Sequence, residues 1–140
     1  MDTRGAVNFT VLLLRVVSGL LLFQAGGLKL FGWFGGMPPG VELNTLLVVA
    51  AWLEVLGGAA IMLGLLTRPI AFVLSGEMAF AYFIGHFPQG FWPIQNNGQP
   101  AVLLCFIFLF FAAYGAGEWS FDALLRRKRT PGLRPVADQL

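Results

Sequence analysis

Phe9-Thr10-Val11-Leu12-Leu13-Leu14-Arg15-Val16-Val17-Ser18-Gly19-Leu20-Leu21-Leu22-Phe23-Gln24-Ala25-Gly26-Gly27-Leu28-Lys29-Leu30-Phe31 is an apolar run that carries charge only at Arg15 and Lys29. Roughly 20 residues of helix cross a bilayer core, and three more apolar runs follow at about residues 43–66, 70–87 and 101–115. The last two are short but flanked by proline. Backbone groups in lipid must be satisfied within a helix or a closed barrel, so open strands are excluded. The expected architecture is all-α: an integral membrane four-helix bundle forming a single domain over residues 1–140, with a tail at 118–140 that holds a short interfacial amphipathic helix.

Composition points the same way. The chain is 57% hydrophobic and 11% charged, with mean hydropathy +0.75, whereas soluble domains carry about 25% charged residues. Net charge is +2, and five of the nine Lys and Arg residues fall within residues 126–134. A basic cluster beside the last span flanks a membrane and attracts anionic headgroups by about 1 kcal/mol per residue, which argues against nucleic acid as a partner. The lone Cys105 allows no internal disulfide and no CxxC pair, and a single His86 cannot build a metal or bis-histidine haem site. No metal and no intrinsic cofactor are expected.

Arg4 followed by an apolar run ending at Ala25-Gly26-Gly27 has the outline of a secretion signal. Arg15 inside that run, and the need for an even number of spans, favour a retained helix. With both termini cytoplasmic, Arg4, Arg68 and the Arg126-Arg127-Lys128-Arg129 cluster lie inside and Lys29 lies near the outer face, as the positive-inside rule requires. Trp33, Trp92 and Trp119 then sit at the interfaces. Gly115-Ala116-Gly117 stops the fourth helix, and Ser120 caps a tail helix with Asp122 in its first turn. Phe121, Leu124 and Leu125 supply that helix with an apolar side. Disorder is expected beyond Thr130-Pro131-Gly132.

Each ionisable group within a span costs about 2.5 to 3.5 kcal/mol. At a rise of 1.5 Å per residue from the cytoplasmic ends, Arg15 and Glu77 both fall about 10 Å deep, which makes them a candidate structural ion pair. On the same scale Glu54 falls at about 18 Å, Gln24 at about 22 Å, His86 at about 24 Å and Lys29 at about 30 Å. Arg15, Gly19, Leu22, Gly26 and Lys29 recur at helical spacing, as do Glu54, Gly57, Gly58 and Ile61, so both stripes face the bundle. The outer-half group reads in two ways: as a polar pocket for a proton or a ligand headgroup, or as a Lys29–Glu54 pair that only orients helices. Residues 88–100, with Phe91, Trp92, Asn96, Asn97 and Gln99, form a loop over the outer mouth.

The segments Gly26-Gly27-Leu28-Lys29-Leu30, Glu54-Val55-Leu56-Gly57-Gly58, Leu63-Gly64-Leu65-Leu66-Thr67-Arg68-Pro69, His86 and Gly115-Ala116-Gly117-Glu118-Trp119-Ser120-Phe121-Asp122 together resemble the DoxX family of bacterial membrane proteins, from about residue 14 to residue 125. The resemblance implies a four-helix bundle in the bacterial plasma (inner) membrane and an association with redox chemistry, since related subunits belong to thiosulfate:quinone oxidoreductase. It carries Lys29, Glu54, Arg68, His86, Trp119, Ser120 and Asp122 over as family positions. Gln99 departs from the pattern, which often has an acidic residue there.

Two functions compete. One is an accessory subunit of a quinone-linked oxidoreductase, with Gln24, Lys29, Glu54, His86, Trp92 and Gln99 binding a quinone-like headgroup, Glu54 or His86 moving its proton, and a redox partner protein supplying electrons. The other is a non-enzymatic module that binds lipid or helps a partner membrane protein assemble, alone or as a homo-oligomer. Solute transport fits less well, because no inverted repeat or broken-helix pair is visible.

Overall fold

Asp2 opens the first helix by accepting a hydrogen bond from the Gly5 N–H at 2.8 Å, and α1 then runs unbroken over Thr3–Phe31. In this computed structural model, which describes residues 2–129, all regular structure is helical. Gly32 ends α1 in the left-handed conformation, where a residue without Cβ carries no steric penalty. Asn44 caps α2, Thr45–Leu63, by accepting from the Leu47 N–H at 2.9 Å. A tight turn leads to α3, Thr67–Ala81, which continues through a π-helical turn, Tyr82–His86, and a 3-10 turn, Phe87–Gln89. A loop then returns the chain to α4, Gln99–Tyr114, and α5 covers Phe121–Arg129.

Helix α1 packs along α2 and α3 packs along α4, while the two hairpins meet less extensively. Glycines set the first contact: a Cβ on Gly19 would lie 2.8 Å from the Gly58 carbonyl oxygen, one on Gly58 would lie 2.7 Å from that of Gly19, and one on Gly26 would lie 2.6 Å from that of Ala51. Small residues that let backbones touch are how helices associate where lipid removes the hydrophobic drive. The core between the hairpins holds Leu22, Ile61, Leu74, Phe108 and Phe111.

Large apolar side chains point outward all along the bundle, among them Val17, Leu21, Leu56, Phe72, Leu103 and Phe106. Thr3–Phe31, Thr45–Leu63 and the continuous segment Thr67–Gln89 are long and apolar enough to cross a membrane. Helix α4 is a shorter apolar helix of 16 residues, about 24 Å long at 1.5 Å per residue. An apolar exterior around a glycine-lined interior is the arrangement of a membrane-embedded bundle.

Several boundaries differ from the sequence reading. Helix α1 starts six residues earlier than expected, α2 stops at Leu63, and α3 starts at Thr67 rather than near residue 70. Pro69 sits in the first turn of α3, where its missing N–H is not needed, so it marks a helix start and not the end of a linker. The expected tail helix is present and capped: Ser120 Oγ accepts from the Ala123 N–H at 3.2 Å. Residues from Thr130 onward, including the stretch expected to be disordered, lie outside the described residues.

Candidate functional site

The glycine contact between α1 and α2 brings the end of α1 close enough for Lys29 to reach back to Glu54. The Lys29 Nζ donates to both carboxylate oxygens of Glu54, and the Glu54 side chain is almost fully enclosed. Glu77 belongs with this pair. Glu54 is nine residues from the end of α2 and Glu77 ten from the start of α3, which places both at about 14 to 15 Å from the shared turn. Glu77 accordingly lies within electrostatic range of Glu54 and Lys29. Both Glu77 carboxylate oxygens are shielded from solvent and have no hydrogen-bond partner.

The expected Arg15–Glu77 ion pair does not form. Arg15 is 2% exposed, but its guanidinium donates to the carbonyls of Ala116 at 3.3 Å and Trp119 at 2.9 Å. Because α1 begins at Thr3, its first three turns project past the α2–α3 turn and pack on residues 116–118. There Arg4 pairs with Glu118 at 2.7 Å, Asn8 donates to the same carboxylate, and Val11 faces Gly117. This pairing holds the Glu118 carboxyl below its ordinary value of 4.5, chiefly through the Arg4 hydrogen bond. The depth estimate failed because it counted α1 from residue 9 and α3 from residue 70, which put Arg15 too deep, since it stands level with Gly64 in the α2–α3 turn, and Glu77 too shallow.

Around Arg15 the remaining family positions form a clasp. Asp122 accepts from the backbone N–H groups of Leu66 at 2.8 Å and Thr67 at 2.9 Å, and its own N–H donates to the Gly64 carbonyl at 2.9 Å. The first turn of α3 has no side-chain cap of its own, since the residue before it, Leu66, carries no acceptor and stands in the left-handed conformation. Asp122 supplies that cap from α5. Gly64, also left-handed, has no room for a Cβ against Arg15 and Ser120. Ser120 turns the chain by donating to the Gly117 carbonyl at 2.8 Å. Trp119 contributes its carbonyl while its side chain is exposed, and Arg68 donates to the Tyr114 carbonyl at 3.4 Å.

His86, Trp92 and Gln99 are not joined to Lys29 or Glu54 by any hydrogen bond or ion pair. His86 Nδ1 lies 3.0 Å from the Asn96 carbonyl oxygen, and its ring stacks on Tyr82. The Tyr82 hydroxyl donates to the Phe91 carbonyl and accepts from Asn96 Nδ2 at 3.3 Å. Asn96, 1% exposed, also donates to the Gly90 carbonyl at 2.7 Å and accepts from the Gly98 N–H at 2.8 Å. These contacts fasten the loop between α3 and α4. Trp92 is exposed on it, Gln99 is exposed at the first position of α4, and Gln24 lines a separate small cavity with Ala25, Leu28 and Phe34. The sequence reading missed Glu77 as a member of the cluster and Asn96 as the centre of the loop.

The DoxX family model matches residues 10–87, more than half of the chain and the stretch that holds the three-residue cluster. The chain belongs to the DoxX family. The DoxX match includes Lys29, Glu54, Arg68 and His86, whereas Trp119, Ser120 and Asp122 lie beyond it. An uncharacterized protein of Haemophilus influenzae is 45% identical over 82 residues, which is 56% of this DoxX chain and 61% of the relative's length. No solved structure matches. Three long apolar helices and membership of the DoxX family make this a membrane protein in contact with the bilayer.

Proposed function

We propose that this DoxX protein is an accessory module of a quinone-linked membrane redox system, in which Glu77 and the adjoining Lys29–Glu54 pair receive the headgroup of a quinone-type ligand. The observation that carries this reading is the Glu77 carboxyl group, shielded from solvent and without a hydrogen-bond partner beside a buried ion pair. Leaving a buried polar group unpaired costs about 1 to 3 kcal/mol, which a ligand supplying the missing partner offsets. A quinone carbonyl accepts from a protonated carboxyl group, and a quinol hydroxyl donates to a carboxylate. Glu77 therefore has a partner in either redox state of the ligand, and one lysine for two carboxyl groups leaves room for one exchangeable proton. Glu54 anchors Lys29, Glu77 exchanges the proton, and a partner protein carries the electrons.

In this reading the four apolar helices all cross the plasma membrane, α4 included, with both termini in the cytoplasm. Supporting this orientation, Arg4, Arg68, Arg126 and Arg129 gather at one end of the bundle, and Lys29 stands near the other. The test is a titration of the full chain in lipid nanodiscs with a short-chain ubiquinone, followed by tryptophan quenching. Saturable binding that weakens at least tenfold in Glu77→Ala and less in Glu77→Gln supports the proposal. Absence of saturable binding to the wild-type protein overturns it.

A further inference from the structure

At the end of the bundle where α1 begins, α2 turns into α3 and α5 crosses beneath them, a cleft of about 870 Å³ opens. Arg4, Arg68, Arg126 and Arg129 line it, against Glu118 and Asp122. Both acids are engaged, Glu118 by Arg4 and Asn8 and Asp122 by the backbone of Leu66 and Thr67. The lining side chains thus carry a surplus of two positive charges.

The backbone dipole favours Arg126 and Arg129 in the last turn of α5, but helix stability does not account for Arg68. Arg68 stands in the first turn of α3, the end of a helix where the backbone dipole disfavours a cation, and its hydrogen bond to Tyr114 is long at 3.4 Å. On α5 the positions Asp122, Leu125, Arg126 and Arg129 recur at spacings of three and four residues, so one side of that helix turns toward the cleft. Leu66 and Pro69, at the mouth of the cleft, also line a second cavity of about 610 Å³ between α2 and α3. That groove is walled by apolar side chains such as Leu53, Leu56, Val73 and Leu74. A cationic cleft and an apolar groove therefore meet at shared residues.

We propose that this composite site binds one anionic phospholipid from the adjoining leaflet, with its phosphate against Arg68 and Arg129 and an acyl chain in the α2–α3 groove. The positive surplus selects an anionic over a zwitterionic headgroup. The attached apolar groove selects a lipid over free phosphate, which has nothing to place there. The site shares no residue with the Lys29–Glu54–Glu77 cluster, so the two proposals fail independently.

The test is native mass spectrometry of the full chain in detergent, with phosphatidylglycerol, phosphatidylcholine or inorganic phosphate added. The variants are Arg68→Gln with Arg129→Gln, and Val73→Trp, which fills the groove from the lipid-facing side without touching the cleft; circular dichroism checks the helical fold. The expected result is one phosphatidylglycerol per chain, bound about tenfold more tightly than phosphatidylcholine. The double arginine variant should lose about thirtyfold in affinity, two charges at about 1 kcal/mol each, and Val73→Trp should weaken the lipid but not inorganic phosphate. Equal affinity for the two lipids, or unchanged binding in both variants, overturns the proposal. So does inorganic phosphate displacing phosphatidylglycerol while Val73→Trp has no effect, since the cleft would then be a free-anion site.

Discussion

Replacing Asp122 with alanine removes the cap that α5 lends to α3. The carboxylate accepts from two backbone N–H groups, at 2.8 Å from Leu66 and 2.9 Å from Thr67. Leu66 is exposed, so water can take over its amide, but Thr67 is fully buried and its N–H loses a partner that water cannot easily replace. A helix cap is worth about 1 kcal/mol and a hydrogen bond to a charged group about 1.5 to 3 kcal/mol. Taking about 1 kcal/mol for the exposed amide and the charged-bond range for the buried one gives an expected loss of about 2.5 to 4 kcal/mol. Arg15, which lies within electrostatic range of Asp122, loses its nearby anion as well. Asp122→Asn keeps an acceptor oxygen and should lose about 1 kcal/mol. Reversible unfolding in mixed micelles measures both. Asp122→Ala within 0.5 kcal/mol of wild type would refute the capping role.

Gly64→Ala should destabilise far more than Gly76→Ala, because a Cβ at Gly64 meets Arg15 and Ser120 in a left-handed residue whereas one at Gly76 meets nothing; the same unfolding assay should give more than 2 kcal/mol for the first and a gain of up to about 1 kcal/mol for the second. Lys29→Met leaves Glu54 enclosed without its cation and should lose about 3 to 5 kcal/mol, most of it recovered when Glu54→Leu is added. Equal losses in the single and the double variant would sink the ion-pair account. The Arg4–Glu118 contact depresses the Glu118 carboxyl, so its contribution is present above the ordinary carboxylate range and is lost as pH falls through the lowered folded value. Carbon-detected NMR of Glu118 should show that midpoint below 4.5 and show it return toward 4.5 in Arg4→Gln.

The architecture was legible because the first two apolar runs are long and the shorter two are bounded by proline, and because the glycine stripes on α1 and α2 name the faces that touch. The Lys29–Glu54 pair was legible for the same reason, since both residues extend those stripes. Glu77 was not, because its level depends on where α2 ends and α3 begins. Three residues of error at each side of the Gly64–Thr67 turn move a carboxyl group by about a helical turn. Arg15 misled for a related reason: its partners are backbone carbonyls at Ala116 and Trp119, which leave no mark in the identity of any side chain. His86 shows the converse, a chemically suggestive side chain whose visible contact is with the Asn96 backbone in a loop.

The Asp122 cap also gives a physical reason for a carboxylate at that position. The Trp119-Ser120-Phe121-Asp122 segment returns to the α2–α3 turn and closes both hairpins at the basic end, with Ser120 starting α5 and Asp122 starting α3. Helix order and clasp together hold Glu54 and Glu77 at one level, so the proposed site depends on the clasp although no clasp residue touches it.

The most direct test of the quinone-headgroup reading is mass spectrometry of the protein released gently from its own membrane, wild type beside Glu77→Ala, with circular dichroism confirming the fold of both. The account predicts about one quinone per chain in the wild type and its loss from Glu77→Ala. A folded wild-type protein that carries phospholipid but no quinone would contradict it.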